Sequence, residues 1–272
     1  MTLNKIFIAI ALIALNAFAA PLLAHEFWID SKKFQVETGE NIVAYSKNGQ
    51  DFKGIDLAYF TKRAARFERI DASGAKPVDA RLGDSPIFDK PVETEGLFTL
   101  LYQTNPDRVS YKEWEKFQSF ADHKAFDDAL SKHRARGLNE DMFTETYTRF
   151  AKGLFAVGNG AGADAQRGLE LEIVALKNPY TDDVSEGLPV QVFYREKPRI
   201  NAQVEIFERT ASGETTVSTV RTNGEGIALV PVKSAHTYLL DNVLLRVPSD
   251  TLAKETGAVW ETLWAALTFE VR

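Results

Sequence analysis

Thr215-Thr-Val-Ser-Thr-Val-Arg-Thr-Asn-Gly-Glu-Gly-Ile-Ala-Leu-Val-Pro-Val232 sets two runs of β-branched and apolar residues around Asn223-Gly-Glu-Gly226. β-Branched side chains pack well on a pleated surface, and Asn-Gly supplies the left-handed backbone of a tight turn, so the stretch predicts a hairpin. Outward from it, residues 169–176, 188–194, 202–207, 238–247 and 267–271 read as further strands. Together with 215–222 and 227–232 this makes seven short strands, the size of an immunoglobulin- or transthyretin-like sandwich.

The N-terminal half carries a similar pattern. Phe27/Ile29, Phe34/Val36, Ile42/Val43/Tyr45 and residues 97–102 are strand-like, with turn signals at Glu37-Thr-Gly-Glu40 and Asp71-Ala-Ser-Gly74. Asn105-Pro-Asp107 breaks it, and residues 111–136 then show helical spacing, with Trp114, Phe117, Ala121 and Ala125 on one stripe. Phe143, Tyr147, Phe150, Ala151 and Leu154 fall at i, i+4, i+7, i+8 and i+11 and predict a second helix. The glycine-rich run Val157-Gly-Asn-Gly-Ala-Gly-Ala-Asp164 has no phosphate-loop lysine and reads as a flexible linker. The expected architecture is therefore mainly β: two β-sandwich domains, 25–106 and 168–272, with a two-helix insert at 107–157 and a linker at 158–167.

The chain has 272 residues, with Lys+Arg 32 against Asp+Glu 38, a net charge of −6, four His and no Cys. The acidic balance offers no footprint for nucleic acid. Without cysteine there is no disulfide, thiolate nucleophile or Cys-based metal site, so a metal must be held by nitrogen and oxygen. Residues 1–24 carry a single Lys5, an apolar run and a small-residue end, the pattern of a cleaved signal peptide, so a periplasmic location is expected. Cleavage after Ala24, the expected site, makes His25 the first residue; cleavage after Ala19 leaves Ala20-Pro-Leu-Leu-Ala24 ahead of it.

Four segments carry a resemblance to a known family: Ala24-His-Glu-Phe-Trp-Ile29, Tyr147-Thr-Arg-Phe-Ala-Lys-Gly153, Gly168-Leu-Glu-Leu-Glu-Ile-Val174 with Asn178-Pro-Tyr180, and Trp260-Glu-Thr-Leu-Trp-Ala-Ala-Leu-Thr-Phe269. Over most of the chain the sequence resembles a periplasmic family catalogued partly as a domain of unknown function and partly as the periplasmic component of cobalt and nickel uptake systems. The resemblance implies secretion, a β-rich fold and transition-metal handling. Ala235-His-Thr237 departs from the Gly-Trp type of hairpin expected there, which makes His236 specific to this chain.

A first-position His25 joins an α-amine and an imidazole Nδ1 in one chelate ring, a donor pair suited to nickel, copper and zinc. His123 and Asp127 stand at i, i+4 on the first predicted helix, where the carboxylate can be co-ligand or can fix the imidazole tautomer. His236 is a further candidate ligand, whereas His133 falls on the apolar side and reads as packed. Glu26 follows His25 directly, but on a strand its side chain points the other way. The expected function is a secreted metal-binding protein for nickel or cobalt, accessory to uptake through a membrane transporter or outer-membrane receptor, without covalent chemistry. The alternatives are a histidine-brace copper enzyme and a metal-free receptor-associated or adhesion sandwich. A zincin is disfavoured because His25-Glu26 has no second His at i+4.

Overall fold

The computed structural model describes residues 25–272, and the expected signal peptide, 1–24, lies outside the described residues. The chain is mainly β, with sheets in a sandwich-like arrangement. A ten-stranded sheet runs, in spatial order, through Thr215–Arg221, Gln203–Arg209, Thr237–Arg246, Ala258–Glu270, Phe143–Val157, Gly96–Thr104, Ala64–Asp71 and Gly74–Pro77. Gln35–Val36 and Asp107–Tyr111 also pair with Phe143–Val157. Two four-stranded sheets accompany it: Glu26–Asp30, Asn41–Gln50, Lys53–Leu57 and Phe88–Pro91 form one, and Leu171–Ala175, Leu188–Tyr194, Lys197–Pro198 and Ile227–Val230 the other.

The turn at Asn223 does not close a simple hairpin. Asn223 Oδ1 accepts from the backbone of Glu225 and Ile227, and the strands on either side enter different sheets. Thr215–Arg221 pairs with Gln203–Arg209, whereas Ile227–Val230 pairs with Leu188–Tyr194, so the turn carries the chain across the sandwich. Gly226, at φ +73°, sits where a Cβ would meet Pro198 Cβ at 2.9 Å, so both conformation and space call for glycine there.

The largest correction concerns residues 143–154. The expected second helix is a strand, Phe143–Val157, buried without interruption from Phe150 to Val157 and paired in parallel with Ala258–Glu270. Its apolar positions match a helical spacing because, from Phe150 onward, the strand is covered on both faces and shows no alternation. The competing signal was Thr144, Thr146 and Thr148 at period two, in a stretch rich in β-formers. Both insert helices come instead from the preceding run, as Trp114–His123 and Ala129–Ala135, separated by Ala125 in the left-handed region at φ +54°. Trp260, Leu263 and Ala266, although at a helical spacing, lie in the strand Ala258–Glu270, and a short helix, Asp250–Thr256, precedes it.

The glycine-rich stretch is tied down. Leu97 N donates to Ala161 O, and Asn178 Nδ2 reaches both Gly160 O and Gly162 O at 2.8 and 2.9 Å. Lys152, 1% exposed, holds Asp164 at 2.9 Å and Glu172 at 3.2 Å. A continuous apolar core runs from Phe27 to Val271, and a second one seats the insert helices on Tyr111, Phe143, Trp260 and Trp264.

Candidate functional site

The two cores meet at a cluster of buried charge. Glu205 on Gln203–Arg209 lies directly opposite Asp241 on Thr237–Arg246, an arrangement that repels unless a cation stands between the two. Lys124, the C-terminal cap of helix Trp114–His123, supplies that cation. Its Nζ donates to Asp241 Oδ2 at 2.9 Å, to Glu26 Oε1 at 3.2 Å and to Glu205 Oε2, and lies 4.8 Å from the Trp264 ring centroid. Gln203 Nε2 donates to the His123 carbonyl at 2.9 Å, which pins the helix end over the strand. His123 Nε2 stands 2.7 Å from Glu205 Oε1, and its side chain, 44% exposed, forms the cluster's edge toward solvent.

Glu26, Lys124, Glu205 and Asp241 are all buried, so water does little to screen them. One carboxylate oxygen each from Glu26, Glu205 and Asp241 fall within 4.8 Å of one another. Burial pushes the Asp241 carboxyl up to about 7 against the opposing pull of Lys124. Burial likewise raises Glu26. Burial also acts to raise Glu205, but the bonds from His123 and Lys124 outweigh it and hold that carboxyl below its ordinary range. The hydrogen bond to Glu205 raises His123. Lys124 is raised too: burial disfavours its charge, and Asp241, Glu205 and Glu26 more than compensate. When all three carboxyls are ionised, one ion-paired ammonium leaves an excess of buried negative charge, which three oxygens and one imidazole are suited to share with a divalent cation.

Of the four expected metal ligands, only His123 belongs to this cluster. His25 is exposed one residue before Glu26, and its carbonyl accepts from Arg149 Nη2 at 3.0 Å. Asp127 is exposed and lies beyond the end of the helix, so the i, i+4 pairing expected with His123 does not form. His236 keeps Nδ1 on the Ser234 carbonyl at 2.9 Å, with Nε2 3.5 Å from Glu208. That position is five residues along the chain from Asp241, roughly 16 Å at a strand's rise per residue. His133 is packed as expected: Trp260 Nε1 donates to its Nδ1 at 2.9 Å, and its Nε2 donates to Asn139 O at 2.7 Å.

Lys124, Glu205 and Asp241 went unrecognised in the sequence, and Glu26 was discounted. The signal was there in part. Asp241 interrupts the apolar run Tyr238-Leu-Leu-Asp-Asn-Val-Leu-Leu245, and Glu205 sits between Val204 and Ile206, so both charges fall inside strands rather than at their ends.

Fold and cluster together define a mainly β, sandwich-like protein with an acidic charge centre at the junction of its cores. The chain belongs to the DUF4198 family, a domain of unknown function, whose model matches residues 22–244. No curated protein matches it in sequence. Among solved structures it is similar to a Salmonella alpha-2-macroglobulin mutant, at 12% identity and a TM-score of 0.24 over 98% of this chain. The chain spans 16% of that protein's length. It is also similar to a tetra-tandem repeat from the extending region of a large adhesion protein, at 10% identity and a TM-score of 0.22 over 90% of this chain and 49% of that one. The D0-D1 domain of Intimin matches at 12% identity and a TM-score of 0.19, over 90% of this chain and 98% of that one.

Proposed function

We propose that this is an exported, periplasmic binding protein for a divalent transition-metal ion, nickel or cobalt, which serves a membrane uptake system and does no covalent chemistry. The observation that supports this reading is the charge imbalance of the buried cluster, where Glu26, Glu205 and Asp241 share one ion-paired ammonium, Lys124, and the Arg149 guanidinium acts on Glu26 and Asp241 without an ion pair. Glu26 Oε2, moreover, is buried with no hydrogen-bond partner among the described residues, which is costly for a charged oxygen. The half-exposed His123 gives an ion a way in beside Glu205, and a His25 freed at the N-terminus adds an amine and a second imidazole from the neighbouring strand end. His123 and His25 provide the nitrogen that nickel and cobalt prefer, and the carboxylates provide charge. Protons compete for the same atoms, so affinity falls as pH is lowered through the titration range of imidazole.

Calorimetric titration of nickel into the exported protein tests the reading. Glu205→Gln and His123→Ala are each expected to weaken binding by roughly tenfold or more, the loss of one charged or imidazole ligand. His25→Ala removes the ring but leaves the amine, and is expected to cost less than both. Nickel affinity unchanged in all three variants would reject the site.

A further inference from the structure

We propose that a cleft beside the first strand, bounded by Arg63, Tyr102, Tyr147 and Arg149, binds a small organic carboxylate. The cavity measures about 420 Å³, within the roughly 300–1,000 Å³ usual for small-molecule sites. Its lining carries three cations, Lys62, Arg63 and Arg149, against one acid, Asp107, a positive spot on a chain of net charge −6. Asp107 acts on Arg149 without an ion pair: its Oδ1 accepts from the Arg108 backbone at 2.8 Å, and among the described residues no ion pair joins it to the three cations. Among the described residues Lys62 and Arg63 make no side-chain hydrogen bond, Arg63 lying instead over the Phe60 ring at 5.3 Å.

Arg149 carries the argument furthest. A guanidinium has five N–H donors and stays charged. Within the described residues its side chain makes one hydrogen bond, from Nη2 to the His25 carbonyl, and Nε is buried with no partner at all. The guanidinium lies 4.5 Å from the Tyr147 ring centroid, so the ring restrains its orientation. A restrained planar fork with unused donors matches the two oxygens of a carboxylate. Phe27, Leu57 and Tyr102 give the cleft apolar walls, which favour an organic frame over a bare inorganic anion.

The segment Tyr147-Thr-Arg-Phe-Ala-Lys-Gly153 thereby acquires two roles. Tyr147 and Arg149, two apart on a strand, share the face that lines the cleft, while Lys152 points the other way into its ion pairs with Asp164 and Glu172. The cleft lining contains none of His25, Glu26, His123, Glu205 or Asp241, and Arg149 links it to the metal cluster through the His25 carbonyl and the charges of Glu26 and Asp241, so the two sites are tested separately.

The test is calorimetric titration of the metal-free exported protein with citrate, succinate and inorganic phosphate. Citrate is expected to bind, with affinity falling as salt rises from about 0.05 to 0.5 M. Phosphate should bind at least roughly tenfold more weakly, lacking a frame for the apolar walls. Arg149→Gln is expected to weaken citrate by roughly tenfold or more, the loss of charge-assisted bonds. The exposed Arg63→Ser, which leaves the buried contacts intact, should weaken it about threefold by removing one long-range charge. Absence of citrate binding, affinity unchanged in both variants, or phosphate binding as tightly as citrate overturns the proposal. Nickel binding without citrate binding rejects this cleft alone, whereas citrate binding without nickel binding supports the cleft and rejects only the metal site.

Discussion

Two buried lysines, Lys124 and Lys152, each gather carboxylates from distant parts of the chain, and the two clusters are built differently. At Lys152 every carboxylate is also held by backbone. Asp164 accepts from the amides of Ala165 and Ala175, and Glu172 from those of Arg167 and Leu169. At Lys124, among the described residues, no backbone amide donates to the Asp241 carboxylate, and Glu26 Oε2 is left bare. The first arrangement spreads one surplus negative charge over fixed N–H dipoles, which is how a structural ion pair is made tolerable in a dry interior. The second leaves more charge with fewer partners. That difference separates a clamp, which holds the glycine-rich stretch against its strand, from a centre whose carboxylates are less fully compensated by the protein itself.

Removing each ammonium tests the difference most severely. Lys124→Met strands three carboxylates in the core and is expected to cost about 3–5 kcal/mol in urea unfolding at pH 7.5, the usual range for breaking a buried pair. Lys152→Met should cost less, because its carboxylates keep their backbone donors. Nickel should raise the melting temperature of the Lys124→Met protein more than that of the wild type, since the ion then meets a larger uncompensated charge. Equal losses in the two variants, with no added response to nickel, would collapse the distinction.

The pH dependence comes next in size. Asp241 has its folded pKa raised to about 7. A carboxyl raised on folding binds its proton more tightly in the native state, so its stabilising contribution is complete below the ordinary Asp range and is lost as pH rises toward 7. His123, also raised, acts with the same sign: its contribution is complete below the ordinary imidazole range and is lost as pH climbs through its folded value. Glu205, lowered, acts oppositely and only in acid. Wild-type stability is therefore expected to decline between pH 4 and 7, and Asp241→Asn to flatten that decline by roughly 1–3 kcal/mol. Glu145, buried beneath Tyr111 and Thr262, is also pushed up to about 7 by its burial. The quantity to measure is therefore the difference between the Asp241→Asn and wild-type curves, from denaturation at closely spaced pH values. Parallel curves would show that Asp241 does not titrate in that window.

These clusters also mark where the sequence stopped being legible. The strands of the C-terminal half and the β character of the whole follow from alternation and turn residues, which act locally. The strand Phe143–Val157 did not, because from Phe150 onward both its faces are covered and only Thr144, Thr146 and Thr148 at its start keep a period-two signal. Histidines drew attention as metal donors by residue type, by the expected first position of His25 and by the i, i+4 spacing of His123 with Asp127, yet only His123 reached the charge centre. Glu26, Glu205 and Asp241 are separated by up to 215 residues and come together through strand pairing and sheet packing, contacts that no local pattern encodes. The one local clue, a charge set inside an apolar strand, reveals that a partner exists but not which residue it is.

The clamp around Lys152 can be probed from its far side. Asn178→Ala removes the donors to Gly160 O and Gly162 O and the acceptor for Tyr180 N. It is expected to destabilise the fold by about 1–3 kcal/mol, the cost of leaving buried backbone groups unpaired. Protection of the amides of residues 158–167 from hydrogen exchange should drop with it, while nickel affinity stays as in the wild type. Unchanged protection would mean that the Lys152–Asp164 pair and the Leu97–Ala161 bond hold the stretch without Asn178.

The smallest expected effect separates an incidental histidine from the charge centre. The His236 side chain is held through the Ser234 carbonyl and a 3.5 Å approach to Glu208 on the strand Gln203–Arg209, a carboxylate that Lys233 also holds at 2.8 Å. Substitution by alanine removes a local bond without stranding Glu208, so its cost is expected to stay within about 0.5 kcal/mol, as for surface changes generally. Its distance from Asp241 along the strand keeps it out of reach of an ion held by Glu205 and His123, and nickel affinity should stay within about twofold of wild type, less than the loss of any ligand. A tenfold loss in His236→Ala together with no loss in His123→Ala would move the metal from the buried carboxylates to the turn, and would leave Lys124 and Lys152 as two structural clamps of the same kind.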